Sequence, residues 1–232
     1  MRKLTTEQIE NLYEFTASHY VEWYDLQIEL VDHLANDIEE SWADNPKMNF
    51  EAAKLSAFKK FGIFGFGEVV ESRLNSLNKK YNRMMWDLFL AFFKIPKILM
   101  LLCLYSFVFY GFEKIGNSKG LLLVILIAYT LFSIYRLFQL KKGINNRFKL
   151  TNKKYLTDHI LLNFTKIGFV FWYPVSFGFN WDKVEQFSIG QNAVIALFVV
   201  IMMLFGWIGL VKIPNKMDEY MAAMYPSYII ST

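Results

Sequence analysis

The sequence predicts an all-α protein: a small cytosolic four-helix domain followed by a four-helix transmembrane bundle. Three observations carry that expectation. Of 232 residues, 54% are hydrophobic and 18% aromatic, with 23 Phe and a mean hydropathy of +0.24, more apolar than an ordinary soluble domain. Apolar residues recur at three- and four-residue spacing in the first third, the period of a helix with one buried face. Charge divides along the chain: residues 1–80 hold 9 Lys+Arg against 14 Asp+Glu, and residues 81–232 hold 16 against 7.

The acidic cytosolic domain is expected over 1–80. Thr5 and Gln8 have the spacing of a capping box and open a first helix that runs to about Ser18. A second helix runs from about Val21 to Trp42. Its apolar stripe is Leu26, Leu30, Leu34, Ile38 and Trp42, with Val31 and Ala35, and acids occupy much of the remainder. Asn45-Pro46 breaks the chain, and a third helix follows from near Asn49. Gly62 is suited to close that helix in a left-handed cap. A turn at 64–67 leads to a fourth helix from Glu68 to about Tyr81.

An interfacial linker helix is expected over 81–94, with Trp86, Leu88, Phe89 and Phe92 toward lipid. The transmembrane region covers 95–213, with spans at about 95–113, 120–140, 157–178 and 192–212, and 214–232 forms a C-terminal tail. About 20 residues cross a bilayer, and each of these segments approaches that length. The third is the most polar, containing Asp158, His159, Asn163 and Lys166. Trp172, Tyr173, Trp181 and Phe187 read as an outer aromatic belt.

Basic residues set the orientation. The segment 141–155 holds Lys141, Lys142, Arg147, Lys149, Lys153 and Lys154, against two Lys in 113–120 and one in 179–192. The side facing 141–155 is therefore read as cytoplasmic, which places both termini inside a bacterial inner membrane. The polar first ten residues lack the pattern of a cleaved signal peptide.

Several functional classes are disfavoured. Between Lys3 and Lys47 there are 11 acids and no Lys or Arg, a surface that repels phosphate, so direct nucleic-acid binding is not expected. The lone Cys103 excludes an intrachain disulfide and a thiolate-cluster metal site, and is read as a small buried hydrophobe. Ser, His and Asp occur without a nucleophile-elbow context, and no glycine-rich phosphate loop is present. No catalytic residue, metal site or cofactor is expected.

Two groups of residues remain as candidate sites. Glu29, His33 and Asp37 share one face of the second helix at four-residue spacing, and Asp32, Glu39 and Glu40 extend the acidic surface. Glu29, His33 and Asp37 have the ligand types of a metal or proton-sensing site, against a histidine in a solvated acidic face or in packing between helices; the wider acidic surface suits a protein partner. His159, Asn163 and Lys166 at i, i+4 and i+7 lie along one side of the third span. They suit a ligand site inside a bundle, or a polar end in the headgroup region with Lys166 reaching outward. Arg136 is read in that same outward-reaching way near the end of its span, and Gly206 and Gly209 lack the spacing of a helix-pairing motif.

The pattern Glu29-Leu30-Val31-Asp32-His33-Leu34, then Glu51-Ala52-Ala53, Lys60-Phe61-Gly62 and Glu68-Val69-Val70, resembles the HAAS signalling domain over about residues 8–75. At 63–67, Ile-Phe-Gly-Phe-Gly stands where that pattern commonly has an Asp/Asn-Pro turn. The resemblance implies signalling by protein contact, with a PadR-like transcription regulator as the kind of partner, and it implies no catalysis. The expectation is a non-enzymatic membrane regulatory protein. Its alternatives are an accessory subunit of a larger membrane complex, and a small transporter or ligand-binding membrane protein using the third span.

Overall fold

The computed structural model describes residues 2–165, 187–225 and 228, and all regular structure among them is helical. The chain divides into two compact units, Met1–Asn78 with Thr151–Ile160, and Lys79–Leu150 with Leu161–Thr232. The first unit therefore takes in ten residues from the middle of the sequence, a stretch expected to be the end of a basic loop and the start of the third span.

In the first unit, α1 (Thr6–Ser18) opens with the expected capping box. The Thr5 hydroxyl accepts the Gln8 N–H at 3.3 Å, and the Gln8 side chain accepts the Thr5 N–H at 3.0 Å. Tyr20 adopts φ 65°, a left-handed turn that redirects the chain into α2 (Tyr24–Asp44). Asn49 caps α3 (Phe50–Lys59) by accepting the Ala52 N–H at 2.7 Å. The turn before α4 (Gly67–Ala91) uses Gly62 at φ 76° and Gly65 at φ 53°. The positive φ favours glycine at Gly65, and a Cβ there would also lie a tight 3.0 Å from the Phe58 ring.

The core of this unit is the predicted stripe. Leu26, Leu30, Leu34, Ile38 and Trp42 are buried along α2, with Leu12 of α1, Ala53 and Ala57 of α3, and Phe66 of the turn packed against them. Each such aliphatic side chain contributes about 1.5–3 kcal/mol by leaving water. The two alanines allow α3 to approach α2 closely. Lys54 is also buried; its ammonium donates to Asn11 at 2.6 Å and to Glu51 at 2.9 Å, so the charge is compensated.

α4 begins in the first unit and continues into the second, which holds α5 (Lys97–Lys114), nearly all of α6 (Ser118–Thr151) and α8 (Ile189–Trp207); α7 (Leu156–Thr165) begins in the first unit and ends in the second. A π-helical turn at Ile208–Lys212 carries α8 into α9 (Ile213–Met224). Among the described residues two helices are long and apolar enough to cross a membrane: Ser118–Thr151, of 34 residues, and Ile189–Met224, of 36. Val108 and Phe112 of α5, Leu122, Leu126 and Tyr129 of α6, and Ile195, Ala196, Val199 and Met202 of α8 form one apolar core.

Several boundaries differ from the sequence expectation. The helix expected to stop near Tyr81 and the separate interfacial helix are one continuous α4, because 81–91 contain neither Gly nor Pro to interrupt the ladder. Phe89 stacks on Phe205 at 4.5 Å and Phe92 meets Trp207 edge-on at 5.7 Å, so these rings pack on α8. The basic stretch 141–151, expected as loop, continues α6, since Lys, Arg, Phe and Leu are all compatible with helix. Cys103, expected to be buried, lies on the exposed side of α5. Trp172, Tyr173 and Trp181 lie outside the described residues.

Candidate functional site

The outward side of α2 begins with its periodicity. Because Leu30, Leu34 and Ile38 turn inward, Asp32, His33, Asn36 and Glu40 are left exposed. The remaining acids of the predicted surface are held within the unit. Glu29 meets Arg73 at 3.6 Å, Asp37 meets Lys60 at 2.9 Å, and Glu39 meets Lys3 at 2.5 Å. The Lys3 hydrogen bond, offset in part by burial, draws the Glu39 carboxyl below its usual range, and Asp37 raises the Lys60 ammonium above its own. Exposed pairs of this kind add little stability, but they fix which charges stay available.

Glu29, His33 and Asp37 line a shallow groove of about 260 Å³ with Lys60, floored by Leu30, Phe61 and Val69. The groove thus combines an apolar floor with charges of both signs. His33 is exposed, and no group of three or more His, Cys, Asp or Glu among the described residues could hold a metal ion.

The sequence reading missed a second cluster, at the start of α2. The Asp25 carboxylate accepts the Leu156 N–H at 3.0 Å, the Thr157 hydroxyl at 3.4 Å and the Leu26 N–H at 3.2 Å. It sits at the first turn of α7, where orphan N–H groups and the helix dipole favour an anion. Burial acts in the opposite sense and is the larger effect, pushing the Asp25 carboxyl above its ordinary range. Around it, the Tyr24 N–H donates to the Lys154 carbonyl at 2.7 Å, and Lys154 pairs with Glu22 at 2.9 Å. Lys153 lies 3.7 Å over the Tyr24 ring, Tyr155 meets Tyr24 edge-on, and His159 meets Trp23 at 6.1 Å. An acid two residues into an amphipathic helix carries no signal that another helix begins against it.

Of the third-span candidates, His159 and Asn163 are exposed, four residues apart on α7. Lys166 lies outside the described residues.

The second unit holds its own polar groups. Arg136 donates through Nε at 3.4 Å and Nη2 at 3.2 Å to the Leu210 carbonyl, within the π-helical turn. A π turn disrupts the regular ladder, and the guanidinium satisfies a carbonyl there. Asn192, buried at the start of α8, donates to Glu113 at 2.8 Å. The buried Arg147 lies 3.5 Å over the Tyr228 ring and 3.5 Å from Asp218, which also accepts the Tyr228 hydroxyl at 3.0 Å. Gly206 of α8 faces Tyr129 of α6 so closely that a Cβ would lie 2.5 Å from the ring. An apolar cleft of about 480 Å³ opens beside them, lined by Val124, Ala128, Phe132, Met203 and Trp207 among others. No protein-family model matches the chain, and neither a curated protein nor a solved structure matches it.

Proposed function

We propose that the chain is a non-enzymatic integral membrane regulatory protein whose N-terminal unit binds a protein partner through the outward face of α2. The observation that carries this reading is the division of charge on that helix. Glu29, Asp37 and Glu39 are engaged by Arg73, Lys60 and Lys3, while Asp32, His33 and Glu40 stand exposed along the surface. A rigid helix displaying Asp32 and Glu40 beside a mixed groove offers specificity to a basic partner surface more than raw affinity. The resemblance of residues 8–75 to the HAAS domain supports the same reading, with a PadR-like transcription regulator as the kind of partner.

In this reading the membrane half anchors the N-terminal unit or passes a membrane signal to it. Four spans are proposed, with both termini on the cytoplasmic side of a bacterial inner membrane. The two long apolar helices support membrane insertion, and the basic residues that follow position 140 in α6 support the orientation. The 18-residue α5 supplies one further span in the proposal, and the part of 157–178 beyond Ile160 the other, since 157–160 belong to the first unit.

The test is co-purification of the native protein in mild detergent, followed by charge reversal of Asp32 and Glu40, the two acids of that surface left exposed. Loss of a basic cytosolic partner supports the reading; retention of that partner by the reversed variant refutes it. A second reading, an accessory subunit of a larger membrane complex, is favoured by the broad exposed apolar surface of α6, including Leu123, Ile127, Leu131, Ile134 and Phe138. Migration as a lone monomer or homodimer in gentle native extraction argues against that alternative.

A further inference from the structure

We infer that residues 153–159 form a clasp on the N-terminus of α2, through which displacement of the flanking helices α6 and α7 reaches the partner-facing helix. The inference rests on the proposed role of the α2 face and names how that face would be regulated. Its basis is a set of contacts between two short segments far apart in sequence. Residues 22–25 supply Glu22, Trp23, Tyr24 and Asp25; residues 153–159 supply Lys153, Lys154, Tyr155, Leu156, Thr157 and His159.

The contacts are of different physical kinds and all converge on the first turn of α2. A backbone hydrogen bond of 2.7 Å joins Tyr24 to Lys154, and two bonds from Leu156 and Thr157 reach the Asp25 carboxylate. An ion pair, a cation–π contact and two edge-on ring contacts surround them. Tyr155, Leu156 and Thr157 are buried, so the segment is held as part of the first unit's interior. The chain enters it directly from α6, which ends at Thr151, and leaves it along α7. Thr151–Ile160 belongs to the first unit, whereas the residues on either side of it belong to the second. Any shift of the adjoining helix ends must therefore stretch the clasp, move α2 with it, or release it.

Release is the informative alternative, because the Asp25 carboxylate is costly to bury without its donors. Opening would return the carboxylate to water and leave the first-turn N–H groups of α2 and α7 without these partners. Since α2 is one continuous helix of 21 residues, loosening its first turn changes the exchange protection and placement of the turns that follow. Asp32 and His33 begin two turns further on.

The full chain, in nanodiscs of short- and of long-chain phosphatidylcholine, provides the test, because bilayer thickness displaces membrane helices. Hydrogen exchange is read at 24–34 and at 153–159. In the wild type, exchange in both segments should change together between the two lipids, by about fivefold, the equilibrium weight of one hydrogen bond. In Asp25→Ala, 153–159 should still respond while 24–34 no longer follows; Asp25→Asn, which keeps an acceptor, should preserve the coupling. Should Asp25→Ala fail to fold, Thr157→Val, which deletes one donor to the Asp25 carboxylate at nearly constant side-chain shape, serves in its place and should weaken the response of 24–34. If 24–34 ignores lipid thickness in the wild type, or responds in Asp25→Ala as it does in the wild type, the clasp is refuted. The measurement uses no partner, so its failure is distinct from failure of the acidic-face reading.

Discussion

The carboxylate of Asp25 accepts the backbone N–H of Leu156 at 3.0 Å, joining residues 131 positions apart in sequence. The bond places the first turn of α7 against the first turn of α2 and makes 151–160 part of the N-terminal unit. Asp25 thus performs the work of a helix cap for a helix that is not its own.

Substitutions at Asp25 should separate acceptor from charge. Asp25→Ala removes the acceptor from Leu156 and Thr157 and should destabilise the protein by about 1–2 kcal/mol in thermal unfolding. Asp25→Asn keeps a carbonyl oxygen and should cost much less at neutral pH. The pH dependence has a defined sign. Burial raises the folded carboxyl above its unfolded value, so the native state holds this proton more tightly than the unfolded chain does. The contribution is fully present below the unfolded value and is lost as pH rises through the folded one. Wild-type stability relative to Asp25→Asn should therefore decline from the ordinary carboxyl range upward, allowing for the neighbouring Glu22, Lys154 and His159; a flat difference contradicts the argument.

Gly206 should resist enlargement. A Cβ there would lie 2.5 Å from Tyr129 Cε2 and 2.6 Å from its hydroxyl, so Gly206→Ala forces apart α6 and α8, at about 1–3 kcal/mol. Gly206→Leu should be worse. In a double-mutant cycle read by detergent unfolding, Gly206→Ala should cost less in the Tyr129→Ala background than in the wild type, because the side chain that the new methyl would strike is removed.

Tyr129→Phe should be neutral or stabilising. The Tyr129 hydroxyl is buried and makes no well-aligned hydrogen bond among the described residues, with the Ser133 side chain as its polar contact. Removing such a hydroxyl relieves a desolvation cost without breaking a bond. A loss above about 1 kcal/mol in the same assay would contradict this account.

Arg136 should behave as a structural donor to the π-helical turn. Arg136→Ala removes both hydrogen bonds to the Leu210 carbonyl and should lower stability by about 1–2 kcal/mol. Arg136→Lys keeps a cation without the planar fork and should restore only part of it. Equal stability of Lys and wild type would return Arg136 to the simpler role of a cation reaching toward the headgroups.

At the N-terminus of α1, Thr5→Ala should cost about 1 kcal/mol, since the capping box loses one of its two reciprocal bonds. Circular dichroism with thermal unfolding of the full chain measures it. Thr5→Ser should be close to wild type.

Local and periodic features were legible without a structure. The capping box at Thr5 and Gln8, the α2 stripe from Leu26 to Trp42, and the turn at Gly62 all follow from spacing within a few residues. The apolar runs of α6 and α8 were legible for the same reason, since hydropathy is a property of the segment alone. The exposed row Asp32, His33 and Glu40 follows once the buried stripe is known.

Tertiary structure alone decided the rest. Which acids of α2 are engaged depends on Lys3, Lys60 and Arg73, which no spacing rule links to Glu39, Asp37 and Glu29. The α2–α7 clasp pairs residues separated by more than 130 positions, and a close approach such as Gly206 on Tyr129 depends on which face of each helix meets the other. Sequence determined where helices form and which sides are apolar, because those properties arise within a few turns of backbone. Long-range packing determined which polar groups meet, because burial and charge compensation arise only when distant segments exclude water together.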